Sequence, residues 1–130
     1  MSNAKKIYIV DDDKIYHFIL KTFFKKNNLN VEPEFFENGL EAIQYLKTQL
    51  KAGSEIPKTI LLDLNMPIMD GWQFLEEFRN LKSQHDFAID VYVVTSSNDH
   101  SDLEKAGKFE NEIVKYLLKP INDSLLEILS

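Results

Sequence analysis

Short apolar segments alternate with longer segments of helical period along the chain. The apolar segments are 7–10, 31–36, 60–62, 91–94 and 116–118. Four of them are continuously apolar and rich in β-branched or aromatic residues, which is typical of strands buried on both faces of a sheet. Segment 31–36 is more polar and contains Pro33, so it is predicted to form an edge strand.

Apolar residues recur every three or four positions in the segments that follow the strands, which predicts amphipathic helices. In the first helix the predicted buried face consists of Ile15, Phe18, Ile19, Thr22 and Phe23, and Asn27-Asn28 ends the helix. The other helices are marked by Ile43, Leu46 and Leu50, by Phe74, Leu75, Phe78 and Leu81, by Leu103 and Ala106, and by Leu125, Ile128 and Leu129. The predicted boundary signals are Asn38 and Gly53 around the second helix, a Ser101-x-x-Glu104 capping box at the fourth and Asn122 before the fifth.

Alternation of strands and helices requires right-handed crossovers, and these produce a parallel sheet with helices on both faces. The predicted fold class is therefore α/β, a doubly wound five-stranded parallel sheet. The chain has 130 residues, which fits a single domain spanning 1–130.

Composition narrows the class of protein further. Because the chain has no cysteine, it can form neither disulfides nor thiolate metal sites. Its net charge of -6 disfavours binding to nucleic acid or to anionic membranes. Its apolar runs are far shorter than a membrane span, and no signal peptide precedes the first strand. A cytoplasmic protein is expected.

Polar residues gather where the predicted strands end. Asp11-Asp12-Asp13 follows the first strand, Asp63 the third, Thr95-Ser96-Ser97 the fourth and Lys119-Pro120 the fifth. In doubly wound sheets, ligands bind beyond the carboxyl ends of the strands. These side chains are therefore expected to converge on one edge of the sheet.

The chemistry of this group suggests phosphoryl transfer. Clustered carboxylates favour a hard divalent cation such as Mg²⁺, and a carboxylate beside it can attack phosphorus to give an aspartyl phosphate. A lysine ammonium and a hydroxyl can neutralise the phosphoryl oxygens. Taken singly, the aspartate triplet is more typical of a solvated loop or helix N-terminus, and Thr95-Ser96-Ser97 of helix caps. Their joint placement favours a site.

Four blocks of sequence resemble the receiver domain of two-component response regulators, of the stand-alone, chemotaxis-regulator-like kind. The blocks are 9–13, 61–71, 93–97 and 116–120, and the resemblance extends over nearly the whole chain. The second block, LLDLNMPIMDG, is the most specific. The resemblance implies the flavodoxin-like strand order 2-1-3-4-5.

The resemblance also implies a role for each site residue. Asp63 would accept the phosphoryl group, and Asp12, Asp11 and the backbone carbonyl of Asn65 would bind Mg²⁺ with it, Asp11 often through water. Lys119 would pair with the phosphoryl oxygens, across a Lys119–Pro120 bond that is typically cis in this family. Thr95 and Tyr116 would be the switch residues, Thr95 turning to the phosphoryl group and Tyr116 swinging inward. Ser96 would leave the site accessible, and Asn65 and Ser97 occupy positions that tune hydrolysis.

The implied partners are proteins. A sensor histidine kinase or a histidine phosphotransfer protein would donate the phosphoryl group, and an unknown downstream protein would bind the face of helix 4, strand 5 and helix 5. Two copies of the chain could associate through the same face. The expected protein is a signalling domain rather than an enzyme, with only self-directed phosphoryl transfer and autodephosphorylation.

Two features depart from the family pattern. No Gly-Ala pair precedes the fifth strand, so helix 4 is expected to be unusual in length or orientation. The chain ends ten residues after Pro120, so no output domain is expected in it, whether it acts alone or is excised from a longer regulator.

Three histidines are predicted to lie at the surface, because His17 falls on the polar side of the first helix and His85 and His100 lie in polar loops. The phosphorylated histidine of this chemistry should belong to the partner. The five aromatic residues Phe23, Phe24, Trp72, Phe74 and Phe78 are predicted to pack in or against the core rather than hold a cofactor.

Three alternatives remain. Asp11-x-Asp13, Thr95 or Ser96, and Lys119 also resemble a haloacid-dehalogenase-type phosphatase, but only Asp123 and Glu127 are left for its further acidic pair, and Asp63 would be unexplained. A degenerate receiver should have lost one of Asp12, Asp63, Thr95 or Lys119, and all are present. A flavodoxin-like electron carrier needs a phosphate loop where the aspartate triplet stands.

Overall fold

The described residues form five parallel strands alternating with five helices. A computed structural model describes residues 4–96, 99–119 and 123–130, without the side chain of Asp123. The strands are β1 (Lys5–Val10), β2 (Val31–Phe36), β3 (Thr59–Leu62), β4 (Asp90–Thr95) and β5 (Ile113–Leu118). The helices are α1 (Lys14–Lys26), α2 (Gly39–Ala52), α3 (Gly71–Gln84), α4 (His100–Gly107) and α5 (Asp123–Leu129).

The strand order is β2-β1-β3-β4-β5, which confirms the predicted fold class and the implied order. In the register of β1 and β3, Val10 lies opposite Leu62, so the two strands end at the same level. The backbone then continues the ladder beyond both strands, because the Asp63 N–H donates to the Val10 carbonyl over 2.9 Å. This register places Asp11 and Asp63 side by side.

Apolar clusters cover both faces of the sheet. Tyr8 and Val10 face the cluster formed with α2 and α3, whereas Ile7 and Ile9 face the cluster formed with α1 and α5. The prediction for the five aromatic residues is confirmed. Three are buried and two pack partly buried against the clusters: Phe24, Phe74 and Phe78, then Phe23 and Trp72.

Several helix boundaries follow the predicted signals. The Asn38 side chain accepts from the Glu41 N–H at the start of α2, and Gly53 ends that helix with φ +66°. At α4 the prediction is wrong, because Asp99 is the N-cap and accepts from the N–H of Ser101, which lies inside the helix. Asn122 lies outside the described residues.

The predicted buried face of α1 is wrong by one position, except that Phe23 is partly buried against the core. The residues that α1 buries are Tyr16, His17, Leu20 and Phe24. Ile15, Phe18 and Ile19 are 73%, 70% and 52% exposed. Two apolar stripes run side by side on this helix, and the packing against the sheet selects the one that begins at Tyr16. The other stripe, Ile15, Phe18 and Ile19, is the α1 patch.

The expectation that the fifth strand is buried on both faces is also wrong. β5 is an edge strand, and its Val114 and Leu118 are 54% and 46% exposed. The described α4 side chains include none that is buried, and Leu103 on this helix is 47% exposed.

The chain after α4 is anchored by one aromatic residue, Phe109. Its buried ring stacks on Trp72 of α3 at 6.0 Å between centroids, and the Arg79 guanidinium lies over the Phe109 ring, 4.5 Å from the centroid. Arg79 also pairs with Glu112 at 2.6 Å. The helix before this anchor, α4, has eight residues, and the expected departure of the helix 4 region from the family pattern stays a prediction.

Among the described residues, no helix combines the length and the apolar character that crossing a membrane requires.

Candidate functional site

Asp63 follows β3 directly and is 8% exposed. Its Oδ1 atom accepts from the Leu64 N–H over 2.9 Å, and the Thr95 hydroxyl donates a hydrogen bond to its carboxylate. Thr95 is fully buried at the end of β4. Two neighbouring strands therefore hold the orientation of this carboxylate.

The backbone beyond Asp63 passes very close to α3. A Cβ atom on Gly71 would lie 2.6 Å from the Asp63 carbonyl oxygen and 2.8 Å from the Leu64 Cα atom. The Gly71 N–H donates to the Leu64 carbonyl over 3.0 Å. Glycine at position 71 thus allows α3 to begin directly against the Asp63 segment.

The carboxylates of Asp11, Asp12 and Asp63 meet at one point. One oxygen from each lies within 4.8 Å of the others, with Asp11 and Asp63 buried and Asp12 exposed. Asp13 is instead the N-cap of α1, because its Oδ1 atom accepts hydrogen bonds from the N–H groups of Ile15 and Tyr16. The helix-cap interpretation of the aspartate triplet is thus correct for Asp13 and does not account for the other two.

Lys119 lies at the end of β5 and reaches into the same group. Its backbone N–H donates to the Thr95 carbonyl over 2.8 Å. Its Nζ atom lies 2.7 Å from Asp11 Oδ2, in a largely buried ion pair. The predicted convergence of Asp11, Asp12, Asp63, Thr95 and Lys119 is therefore present in the structure.

The surroundings of Asp63 oppose its ionisation. Burial, and then the negative charge of Asp11, raise the pKa of Asp63 to about 6. Lys119, the Leu64 N–H and the Thr95 hydroxyl act in the opposite direction and only partly compensate. A second positive charge beside these carboxylates would favour the ionised form.

The donor set fits Mg²⁺. Carboxylate oxygens are the ligands this ion prefers, and it commonly uses one or two carboxylates together with substrate oxygens. Here carboxylate oxygens of Asp11, Asp12 and Asp63 lie close together. Asp12 is exposed, so a cation can reach the cluster from solvent.

One residue of the site was not predicted from the sequence, Tyr16. Its ring lies against Lys119, with the Nζ atom 4.2 Å from the ring centroid. Tyr16 is 8% exposed and belongs to the cluster under α1 and α5. No motif marks this position, because the contact depends on how far the ring reaches across the sheet from α1.

Of the remaining predicted residues, the structure describes Tyr116, Asn65 and Ser96. Tyr116 on β5 is half-buried, and its pKa is raised by burial and then by Asp102 and Asp63. Asn65 and Ser96 are exposed, Asn65 in the loop between β3 and α3. The metal-binding role of the Asn65 carbonyl and the inward swing of Tyr116 stay predictions. Ser97 and Pro120, with its peptide bond, lie outside the described residues.

The predicted surface position of His17 is wrong. His17 is 8% exposed and its ring lies 4.9 Å from that of Phe35, because α1 turns the stripe containing His17 toward the sheet. His100 is exposed, as predicted, and pairs with Glu104 at 3.1 Å, while His85 is half-buried at the end of α3.

The fold and the site together define a class: a doubly wound α/β domain with an acidic pocket at the carboxyl edge of its sheet. The chain belongs to the family of response regulator receiver domains, whose model matches residues 7–129. This confirms the resemblance. The family serves two-component signalling, and phosphorylation and Mg²⁺ binding are among its features.

Relatives and solved structures agree with this assignment. The response regulator Rcp1 of Synechocystis is 32% identical over 91% of this chain and 78% of its own length. The probable methanogenesis regulatory protein FilR2 of Methanothrix harundinacea is 29% identical over 89% and 72%. Against the Regulator of RpoS of Escherichia coli, at 29% identity, the chain spans only 32% of the relative's length.

Two solved structures share the fold over most of their length. The two-component response regulator from Cytophaga hutchinsonii has a TM-score of 0.77 at 27% identity, over 97% of this chain and 93% of that one. The Mn²⁺-bound form of Rcp1 has a TM-score of 0.74 at 29% identity, over 96% and 88%.

Proposed function

We propose that this chain is a phosphorylation-dependent switch of a two-component system, in which Asp63 accepts a phosphoryl group from a phosphohistidine on a sensor kinase or phosphotransfer protein. The observation that carries the proposal is the placement of a lysine ammonium and a hydroxyl beside a cluster of three carboxylates, two of which are buried. Lys119 lies 2.7 Å from Asp11, and Thr95 donates to Asp63. These are the parts that in-line phosphoryl transfer requires.

In the proposed step, a carboxylate oxygen of Asp63 attacks phosphorus. An O–P bond forms, the P–N bond to the partner's imidazole breaks, and the nitrogen keeps the electron pair and takes up a proton. The hydrogen bond from Leu64 N–H to Oδ1 fixes the rotation of the carboxylate and hence the direction of attack. Lys119 and Thr95 stabilise the charge on the phosphoryl oxygens.

Asp11, Asp12, Asp63 and the Asn65 carbonyl would hold Mg²⁺, the metal proposed for this site. When bound, the ion neutralises the carboxylates and the charge that develops on the transferring group. The Mn²⁺-bound structure of the relative Rcp1 supports a divalent cation in this family.

The proposed switch begins at Lys119 and Thr95. The phosphoryl group adds about -1.5 to -2 charges where both residues can reach. Thr95 turns toward the new group, and Tyr116, whose pKa is raised by burial and then by the charges of Asp102, Asp63 and Asp99, moves inward. These contacts favour the arrangement in which the face of α4, β5 and α5 binds the downstream partner.

The α1 patch is the proposed docking surface for the phosphoryl donor. It begins two residues after the cap Asp13, so it borders the acidic pocket. Its three large apolar side chains are all more than half exposed, which marks an interaction site more often than a bare surface. Ile68, in the loop after Asp63, is a further large apolar residue and is 74% exposed.

The first experiment is intact mass after incubation with acetyl phosphate, with and without Mg²⁺. The wild-type chain should gain one phosphoryl group only with Mg²⁺, and Asp63→Asn should gain none. Asp11→Asn should gain the group slowly, since it keeps the acceptor and loses one carboxylate of the metal site. Asp86→Asn, which removes an exposed carboxylate elsewhere, is the matched control and should behave as wild type.

Two results would contradict the proposal. An adduct that survives Asp63→Asn but is lost in Asp11→Asn would favour the phosphatase alternative. Absence of both an adduct and Mg²⁺-dependent beryllofluoride binding would show a module that signals by binding alone. Beryllofluoride binding without an adduct would instead indicate fast autodephosphorylation.

A further inference from the structure

The ammonium group of Lys119 has two partners in the described part of the chain. One is the Asp11 carboxylate, with Nζ 2.7 Å from Oδ2. The other is the face of the Tyr16 ring, with Nζ 4.2 Å from the centroid, well within the range of a cation–π contact. Both contacts are largely shielded from solvent, which strengthens them.

The hydroxyl of Tyr16 takes no visible part in this arrangement. Its Oη atom is buried and has no hydrogen-bond partner among the described residues. Burial, and then the charges of Asp11 and Asp63, raise the pKa of Tyr16, so the phenol stays neutral. The side chain therefore meets Lys119 with its ring.

The two partners of Lys119 differ in whether they use a hydrogen-bond donor of its ammonium group. A lysine side chain is a flexible stem that carries a compact charge with three donors. In the ion pair, one N–H group of the Lys119 ammonium donates to Asp11, which draws the ammonium toward that carboxylate. A phosphoryl group on Asp63 would accept from the same N–H group. The ring attracts the charge without occupying a donor, so its attraction persists when Lys119 leaves Asp11.

We propose that Tyr16 is a positioning residue whose ring face holds the Lys119 ammonium at the pocket, ready to meet phosphoryl oxygens on Asp63. This rests on the proposed function of Asp63 and Lys119. The role belongs to the ring and not to the hydroxyl.

The test compares Tyr16→Phe, which keeps the ring, with Tyr16→Leu and Tyr16→Met, which remove it. The measured quantities are the affinity for beryllofluoride in saturating Mg²⁺ and the rate of phosphorylation by acetyl phosphate. We expect Tyr16→Phe to stay within about two-fold of wild type, while loss of a desolvated cation–π contact lowers both quantities by about 5- to 30-fold. Equal losses in the phenylalanine and leucine variants would overturn the role of the ring.

A double-mutant cycle separates positioning from packing, because Tyr16 also belongs to a core cluster. In a Lys119→Met background, Tyr16→Leu should change beryllofluoride affinity by less than about two-fold, since the ammonium it positions is gone. The same loss in both backgrounds would show a merely structural role. Circular dichroism identifies variants that fail to fold, and the methionine variant replaces the leucine variant in that case.

Proton NMR tests the contact independently of phosphorylation. In untreated protein, the ε-methylene protons of Lys119 should be shifted upfield by the Tyr16 ring in wild type and Tyr16→Phe, and should return to ordinary values in Tyr16→Leu. Ordinary values in wild type would overturn the proposal. A protein that keeps the upfield shift but takes neither acetyl phosphate nor beryllofluoride would contradict the proposed function and leave the Tyr16–Lys119 contact established.

Discussion

Asp63 is ionised at neutral pH against the effect of its surroundings. Burial and the Asp11 charge raise its pKa from 3.8 to about 6, and three favourable contacts do not restore it. In the unfolded chain this carboxyl would ionise near its ordinary value. The folded state therefore binds the proton more tightly than the unfolded state, and the difference appears between about pH 4 and pH 6.

This difference predicts a pH-dependent gain in stability for Asp63→Asn. Stability that the protonated Asp63 provides is fully present below about pH 4 and is lost as pH rises through about 6. In EDTA at pH 7.5 the asparagine variant should be more stable by up to about 3 kcal/mol in the free energy of unfolding, and by much less at pH 4. Urea denaturation at both pH values measures it.

Asp86→Asn is the control for this prediction, because Asp86 is exposed. Its free energy of unfolding should change by less than about 0.5 kcal/mol at both pH values. If Asp63→Asn raised the free energy of unfolding equally at pH 7.5 and pH 4, the raised pKa of Asp63 would not be the cause of the added stability.

At the residue scale, the sequence predicted the side chains that follow strands and missed the one that does not. Asp11, Asp63 and Lys119 come directly after a strand and Thr95 ends one, and parallel strands bring their carboxyl ends together whatever the details of packing. Tyr16 reaches Lys119 from the first turn of α1. Its position depends on the rotation of that helix, which the sequence pattern did not determine correctly.

At the scale of elements, the junction between β3 and α3 depends on one glycine. A Cβ on Gly71 would lie 2.6 Å from the Asp63 carbonyl oxygen, and this neighbour is backbone. Gly71→Ala should therefore lower the free energy of unfolding by about 1–3 kcal/mol. It should also weaken Mg²⁺-dependent beryllofluoride binding, because the segment that must shift carries Asp63.

Gly107→Ala is the matched control, at the last residue of α4. Apart from its chain neighbours and the nearby backbone of α4, no heavy atom of the described structure lies within 4 Å of the Cβ it would add. Its stability should change by less than about 1 kcal/mol, with unchanged beryllofluoride binding. Thermal melts measure the stability of both variants. Equal losses of stability would contradict the close approach of α3 to the Asp63 segment as the cause of the Gly71→Ala effect.

The error on α1 has a physical cause. Positions 15, 18 and 19 and positions 16, 20 and 24 are both apolar at helical spacing, so periodicity alone cannot choose between them. Burial in the sheet cluster selects Tyr16, Leu20 and Phe24. A second apolar stripe that the core leaves exposed is expected on a helix that binds another protein.

The α1 patch predicts a defect that depends on the donor. Phe18→Ser should leave phosphorylation by acetyl phosphate within about two-fold of wild type, because Phe18 is 70% exposed and outside the pocket. The rate of phosphoryl transfer from a phosphohistidine protein should fall at least about ten-fold, because truncation of a central apolar residue weakens a protein interface. Val114→Ser on β5, also exposed, should affect neither donor. Equal effects on both donors would contradict docking through the α1 patch.

At the scale of the whole molecule, the fold was predictable because the rules for parallel α/β sheets leave few arrangements. Strand–helix alternation requires helices on both faces, and the proline in β2 marks an edge. The other edge was harder to recognise. β5 is as apolar as a central strand in Tyr116-Leu117-Leu118, yet Val114 and Leu118 remain exposed.

The exposed residues on this side predict association of the activated protein. With Mg²⁺ and beryllofluoride we expect two copies to pair through α4, β5 and α5, since pairing would cover Leu103, Val114 and Leu118. Light scattering coupled to size exclusion should show the shift from monomer to dimer, and Val114→Lys should prevent it. Monomers across a wide concentration range, with and without beryllofluoride, would rule this dimer out.

The stacked pair Trp72 and Phe109 gives the molecule an internal optical reporter. The chain has a single tryptophan, so all indole emission comes from this position. Trp72 is the second residue of α3, directly after the loop that follows Asp63, and Phe109 belongs to the turn that follows α4. Displacement of either segment changes the surroundings of the indole. Steady-state and stopped-flow fluorescence can therefore follow the coupling between the acidic pocket and the α4 region in unlabelled protein.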